Sequence, residues 1–272
     1  ELSGNGGVIG IMRDVYYDVF GPGGLDILLD SNENSTVGID DVLVNWYDVD
    51  GNDLGDWEQG GSPAENSDAV QFDMLLGDTV LGTGVDIPLD IDLPGFEFNI
   101  DGGFGLSMDW TFDFGTGISG TDGFYFVADS GADPEFEVDL DLALDGTPDD
   151  PSNVTEFSGS GSLAFFTASL TDTDSDSGLF GAYEMDIVGD QRGRLTDLKL
   201  SATPLEDILV SDFSVDGDIT LDMSLEVDGA SVMPRLVGDL VMDWDYSLSG
   251  GMTTPSISIN NLGLDVGSMV DD

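Results

Sequence analysis

Apolar and polar residues alternate at a period of two along most of the chain. Val85, Ile87, Leu89, Ile91 and Leu93 alternate with Asp86, Asp90 and Asp92. Val138, Leu140 and Leu142 alternate with Asp139 and Asp141, and Val215, Ile219 and Leu221 with Asp216, Asp218 and Asp222. This spacing places apolar side chains on one face of a strand and carboxylates on the other. Comparable runs, alternating or continuously apolar, fall at 8–12, 37–46, 70–76, 80–93, 96–114, 123–127, 136–144, 162–170, 179–187, 195–200, 208–227, 236–248 and 256–266. The turns between them are rich in Gly, Asp, Pro and Ser, as in Gly21-Pro22-Gly23-Gly24, Asp101-Gly102-Gly103, Asp145-Gly146-Thr147-Pro148 and Asp228-Gly229. With 38 Gly spread through the sequence, helical signals are nearly absent. The pattern predicts an all-β protein, an antiparallel, long-stranded sandwich or extended β-sheet module with Asp-rich loops.

Two runs exceed the length of an ordinary strand. In 96–114, Phe96, Phe98, Ile100, Phe104, Leu106, Met108, Trp110, Phe112 and Phe114 share one parity, which predicts a hairpin turning at Asp101-Gly102-Gly103. A second turn is expected near Asp216-Gly217-Asp218, inside 208–227. The polar, Gly-rich stretch 50–68 marks the best boundary. It separates an N-terminal β subregion, 1–60, from a main antiparallel β-body, 61–272, with continuity between the two left open. Neither the period of a propeller nor that of a helical solenoid is present.

Charge changes the picture. The chain has 56 acidic residues, 45 of them Asp, against Arg13, Arg192, Arg194, Lys199 and Arg235, for a net charge of -51. Asp is a poor strand former. Directly opposed cross-strand residues lie roughly 5 Å apart, where two like charges repel by roughly 3 kcal/mol at an effective dielectric near 20. Such repulsion works against the compact state. The fold is therefore expected to draw cations from its medium, either millimolar calcium outside the cell or very high salt. Nucleic acid and anionic lipid are excluded as partners, because almost nothing is present to neutralise phosphate.

The absence of Cys and His excludes thiolate zinc sites, Fe–S clusters, disulfides and His-based catalysis. A hydrophobic content of 40% with 15 Phe excludes a disordered acidic tail. No apolar run approaches the roughly 20 residues of a membrane span, and no signal peptide is evident. A chain starting at Glu1 reads as a processed product or a segment of a longer protein. Asn34-Ser35-Thr36 and Asn153-Val154-Thr155 are formal glycosylation sequons.

Carboxylate spacing nominates cation sites. In Asp172-Thr173-Asp174-Ser175-Asp176-Ser177-Gly178, acids at alternate positions precede a Gly, as in oxygen-rich loops that wrap calcium. Relative to an EF-hand, one residue is inserted before Gly178 and Glu184, and no helices flank the loop. A calcium loop and a solvated hairpin loop are the two readings. Asp48-Val49-Asp50-Gly51-Asn52-Asp53, followed by Asp56 and Glu58, fits a short calcium loop. Asp186, Asp190 and Asp197 surround Arg192 and Arg194, where the arginines offer local neutralisation instead. Asp129, Asp133 and Glu135 form a weaker group. The expected Ca2+ ligands are Asp48, Asp50, Asn52, Asp53, Asp56, Asp172, Asp174, Asp176, Glu184, Asp186 and Asp190. Strand-face Asp rows are a separate kind of site, shared by neighbouring strands or simply solvated.

No catalytic residue is expected. Among so many acids a pair at glycosidase spacing arises by chance. No nucleophile elbow or phosphate-cradling Gly loop is present. Trp46, Tyr47, Trp57, Trp110 and Trp244 suit either sugar stacking or core packing, and Trp46 and Trp57, near the Asp48 loop, are the better surface candidates.

Phe112-Asp113-Phe114-Gly115 leads into Ser119-Gly120-Thr121-Asp122-Gly123-Phe124-Tyr125-Phe126. Then follow Gly159-Ser160-Gly161-Ser162-Leu163-Ala164-Phe165-Phe166, the Asp172 loop, and Gly193-Arg194-Leu195-Thr196-Asp197-Leu198. This order, over about 112–200, resembles modules of the giant repeat-containing exoproteins of bacteria. The resemblance implies an extracellular, calcium-stabilised building module with no catalytic residues to carry over. The expected function is a structural or adhesive module of a surface protein, matrix or filament, extracellular or at the cell surface. Its expected partners are copies of itself, neighbouring modules, or cell-surface or matrix polysaccharide. The alternatives are a calcium-dependent carbohydrate-binding module and a halophilic secreted protein.

Overall fold

Antiparallel strands make up most of the computed structural model, which describes residues 7–58, 61–81, 87–88, 97–101, 103–128, 134–145, 157–163, 166–172, 177–227, 233–254 and 256–266. Helix α1, Gly7–Phe20, precedes β1 (Leu43–Tyr47), β2 (Asp53–Asp56), β3 (Ala69–Leu81), β4 (Ile87–Pro88) and β5 (Glu97–Asp101). Next come β6 (Gly103–Ser119), β7 (Gly123–Val127), β8 (Phe136–Asp145), β9 (Ser158–Leu163), β10 (Phe166–Thr171), β11 (Gly178–Ile187) and β12 (Arg194–Thr196). Helix α2, Asp197–Ala202, leads to β13 (Leu209–Val227), β14 (Arg235–Ser247), β15 (Gly251–Met252) and β16 (Ser256–Asp265). The protein is thus long-stranded and all-β. No helix among the described residues is long and apolar enough to cross a membrane.

The chain forms two compact units. The first comprises Glu1–Asp78, Trp110–Val138 and Tyr183–Asp212, so the N-terminal subregion belongs to it together with two later segments. Its strands run β2-β1-β3-β6, with β7 folded back on β6 and β12 paired to β7. Alternation along β3 buries Val70, Phe72, Met74 and Leu76 with Leu28, Val42 and Val44. Ile9, Met12, Tyr16 and Phe20 of α1 pack on this layer. The Tyr16 and Phe72 rings lie 5.4 Å apart, and the Tyr16 and Thr116 hydroxyls share a 2.6 Å hydrogen bond.

The second unit comprises Thr79–Asp109, Asp139–Ala182 and Phe213–Asp272. One edge of β13 carries β10, which is followed outward by β9 and β5. The other edge pairs β14 over twelve registered positions, and β14 in turn pairs β16. Inward-facing Leu144, Phe157, Leu170, Ile219, Leu221 and Leu240 form the core.

Four local expectations change. The run 8–12 is helical, because its apolar stripe continues through Tyr16 and Phe20 at helical spacing. The run 195–200 ends as helix α2, since the Thr196 hydroxyl accepts the Lys199 N–H at 3.3 Å and caps it. β5 pairs with β9 and not with β6, so 96–114 is not a hairpin. The register sets Phe98 opposite Gly161 and Ile100 opposite Gly159.

β13 runs unbroken through Asp216-Gly217-Asp218. Gly217 is opposite Trp244, whose indole occupies the space where a side chain at 217 would begin. This glycine serves close approach rather than chain reversal. Gly217→Val is expected to cost about 1–3 kcal/mol in urea denaturation. Gly23→Ala, at a position with open space around it, is expected to stay within about 0.5 kcal/mol of wild type.

Candidate functional site

In the first unit, β7 and β12 bring together the two motifs at 121–125 and 193–196. Thr196 pairs with Tyr125, Leu195 with Phe126, and Arg194 with Val127. Gly117 leaves the space into which the Tyr125 ring extends. Its hydroxyl donates to Gln71 Oε1 at 3.2 Å, and Gln71 Nε2 donates to Asp73 Oδ1 at 2.9 Å. The Arg194 guanidinium lies 4.6 Å from the Tyr125 ring centre and, at 1% exposure, is enclosed. Asp122 Oδ2 joins Arg192 Nη1 at 2.7 Å and Arg194 Nη1 at 3.1 Å. Asp68 anchors the preceding turn by accepting from Ser119 Oγ and Thr121 Oγ1, and the Ser119 bond in particular holds its carboxyl below the usual range.

Burial pushes Asp73 up to about 7 against the opposing bond from Gln71, with Asp113 and Asp53 adding to the rise. Burial likewise raises the Tyr125 and Tyr47 phenols to about 12, with Arg194 pulling both back. These groups are bonded to one another. Their chemistry is that of a polar lock between strands.

The nominated ligands separate into several environments. Asp48 accepts the N–H groups of Asp50 and Asn52 at 2.9 and 2.8 Å and the Asn52 side chain at 2.9 Å. The Asn52 side-chain bond, above all, holds the Asp48 carboxyl low. Asp53 accepts the Gly55 N–H at 2.7 Å, and Asp50 and Asp56 are exposed. Gly51 packs against Arg192, so the loop reaches the arginine lock. The Asp190 carboxylate accepts both the Arg192 and Arg194 N–H groups and the Arg192 guanidinium. Despite desolvation, these bonds from Arg192 and Arg194 keep it below the usual range, which is the geometry of local neutralisation.

Glu184 is exposed on β11, and Asp186 has one buried oxygen without a hydrogen-bond partner among the described residues. Both belong to the first unit, whereas Asp172 is buried in the second, its N–H bonded to the Phe157 carbonyl at 2.9 Å. Asp174, Asp176, Asp129 and Asp133 lie outside the described residues. Among the described residues, no three acidic side chains converge on one metal position. Trp46, Trp57 and Trp110 pack on the first core and Trp244 on the second.

Carboxylates align instead on the outer face of the β13–β14 pair. Asp216 is opposite Asp245, Asp218 opposite Asp243, and Asp222 opposite Asp239. Burial raises the Asp216 carboxyl, and Asp245, Asp218 and Asp243 add to the rise. The ladder ends in a groove of about 580 Å³ lined by Asp139, Asp141, Phe180, Asp216, Asp245 and Tyr246. Burial also raises Asp141, reinforced by Asp139 and Asp109. No protein family, curated protein or solved structure matches the chain.

Sequence reading named Asp216, Asp218 and Asp222 but not their partners on β14. The signal was the same alternation in Asp239, Asp243 and Asp245. Only the register turns two rows into facing pairs.

Two outcomes are expected for the lock. Arg194→Met removes one of the two guanidinium partners of Asp122 while Arg192 stays in place, and should lower stability by about 1–3 kcal/mol in urea denaturation. The raised Asp73 value makes its contribution to stability fullest below the ordinary carboxylate pKa and lost as pH rises towards 7. Asp73→Asn should flatten the pH–stability profile between roughly 4 and 7 and melt at a higher temperature than wild type at alkaline pH.

Proposed function

We propose that the chain is a non-catalytic structural or adhesive module of an extracellular surface protein, matrix or filament, held rigid by calcium. The facing Asp216/Asp245 and Asp218/Asp243 pairs carry this reading. Each step of the ladder opposes two carboxylates roughly 5 Å apart. Four of the five basic residues belong to the first unit, and the second contains Arg235 alone, paired to Asp265 at 2.7 Å. Counter-charge on the ladder must therefore come from the medium. Calcium suits such a surface because it takes many oxygen ligands in loose geometry. The exposed acids of the Asp48 loop, Asp50 and Asp56, extend the same chemistry to the first unit.

Calcium that binds only the folded state at 100 times its dissociation constant adds about 2.7 kcal/mol per site. For a chain of this size that corresponds to a rise in Tm of roughly 5–10 °C. At low ionic strength, millimolar calcium should raise Tm by at least this amount, and a chelator should reverse it. An unchanged melt rejects the calcium reading. Stabilisation that appears only at molar sodium chloride assigns the charge to a halophilic protein instead.

A further inference from the structure

Strand β16 bonds to β14 along one edge, and no strand among the described residues pairs with the other. The core rows of the second unit continue onto it. Leu221 faces Leu240, and Leu240 faces Ile259, with exposures of 0%, 4% and 54%. Ile219 faces Met242, and Met242 faces Ile257, which is 70% exposed. The apolar face therefore extends beyond what the described residues cover. Leu262 and Leu264 are likewise more than half exposed.

The electrostatics identify the occupant. From Tyr246 to Leu264 the sequence carries no charge, and this 19-residue stretch is the longest such run in the chain. The acid that ends β16, Asp265, is ion-paired to Arg235, the single basic residue of the second unit. Of the other strands with one described partner, β2 carries Asp53 and Asp56, β5 carries Glu97 and Asp101, β12 carries Arg194, and β4 and β15 are two-residue segments too short to offer an edge. A partner of opposite charge has nothing to bind along β16. A second copy, repelled wherever acid meets acid, finds here an edge that is neutral, apolar and lined by backbone donors and acceptors that no described strand pairs.

We propose that β16 is a self-association edge, pairing antiparallel with β16 of a second copy about a two-fold axis. That arrangement is self-complementary and puts the two Asp265–Arg235 pairs at opposite ends of the joint. The inference rests on the reading of the chain as a self-assembling module and specifies the surface that does it.

Sedimentation velocity of the whole chain tests it, at about 1 M sodium chloride, where the screening length falls to roughly 3 Å, and in millimolar calcium. The wild type should be dimeric. Ile257→Asp combined with Ile259→Asp should weaken the dimer at least tenfold, with an unchanged circular dichroism spectrum because both side chains are exposed. The chain has no Cys, so cysteines placed singly from 256 to 264 report the contact directly. Disulfide-linked dimer should peak at one position and fall away on both sides. A monomeric wild type in both media, a dimer that survives the double substitution, or cysteines that never cross-link would each overturn the proposal. Calcium-dependent melting without a dimer overturns the edge alone, whereas a β16 dimer whose melt ignores calcium overturns the calcium reading alone.

Discussion

Repulsion between aligned carboxylates is the constraint around which the protein is arranged. A net charge of -51 with five basic residues cannot be neutralised pair by pair. The cations are concentrated where burial makes an unpaired acid most costly. Asp122, Asp190 and the two arginines share a partly buried cluster in which each carboxylate meets a guanidinium. Arg13 donates to the Val42 carbonyl under the same unit. Hydrogen bonding holds other carboxylates, as Asn52 does for Asp48 and Ser119 for Asp68. What remains is placed on open faces, where water and mobile ions screen it.

The two units answer this constraint differently. The first combines a helix-covered apolar layer with a polar lock of Arg194, Tyr125, Gln71 and Asp73. The second relies on long cross-strand pairing and an apolar interior, and carries its acids outward on β8, β13 and β14. Its polar face is not uniform. Along β9 and β10 the facing side chains are hydroxyls, Ser160 opposite Ser169 and Ser162 opposite Thr167, and Ser169 bonds Ser224 at 2.7 Å. Charge is thus graded across one sheet, from carboxylate ladder to neutral hydroxyls.

Strand alternation is a local property, and it was readable: the parity of Asp216, Asp218 and Asp222 against Ile219 and Leu221 is the parity observed. Long-range choices were hidden. Gly217 reads as a turn residue in isolation and becomes a strand residue because Trp244 needs its space. β5 finds its partner some sixty residues downstream, which adjacent hairpin logic does not anticipate. Helix α1 was obscured by Gly7 and Gly10, although Ile9, Met12, Tyr16 and Phe20 follow helical spacing. Asp190 shows the same limit at side-chain scale, since spacing alone does not say whether a carboxylate faces a metal or an arginine.

The scarcity of basic residues has a consequence for resistance to proteolysis. Proteases that cut after Lys or Arg find five cleavable bonds in 272 residues. Four of those residues lie inside regular structure: Arg13 in α1, Arg194 in β12, Lys199 in α2 and Arg235 in β14. The fifth, Arg192, has its guanidinium tied to Asp122 and Asp190. Proteolysis requires an extended, accessible backbone, so the positions that hold the acidic fold together are also the ones that such enzymes reach only after it opens.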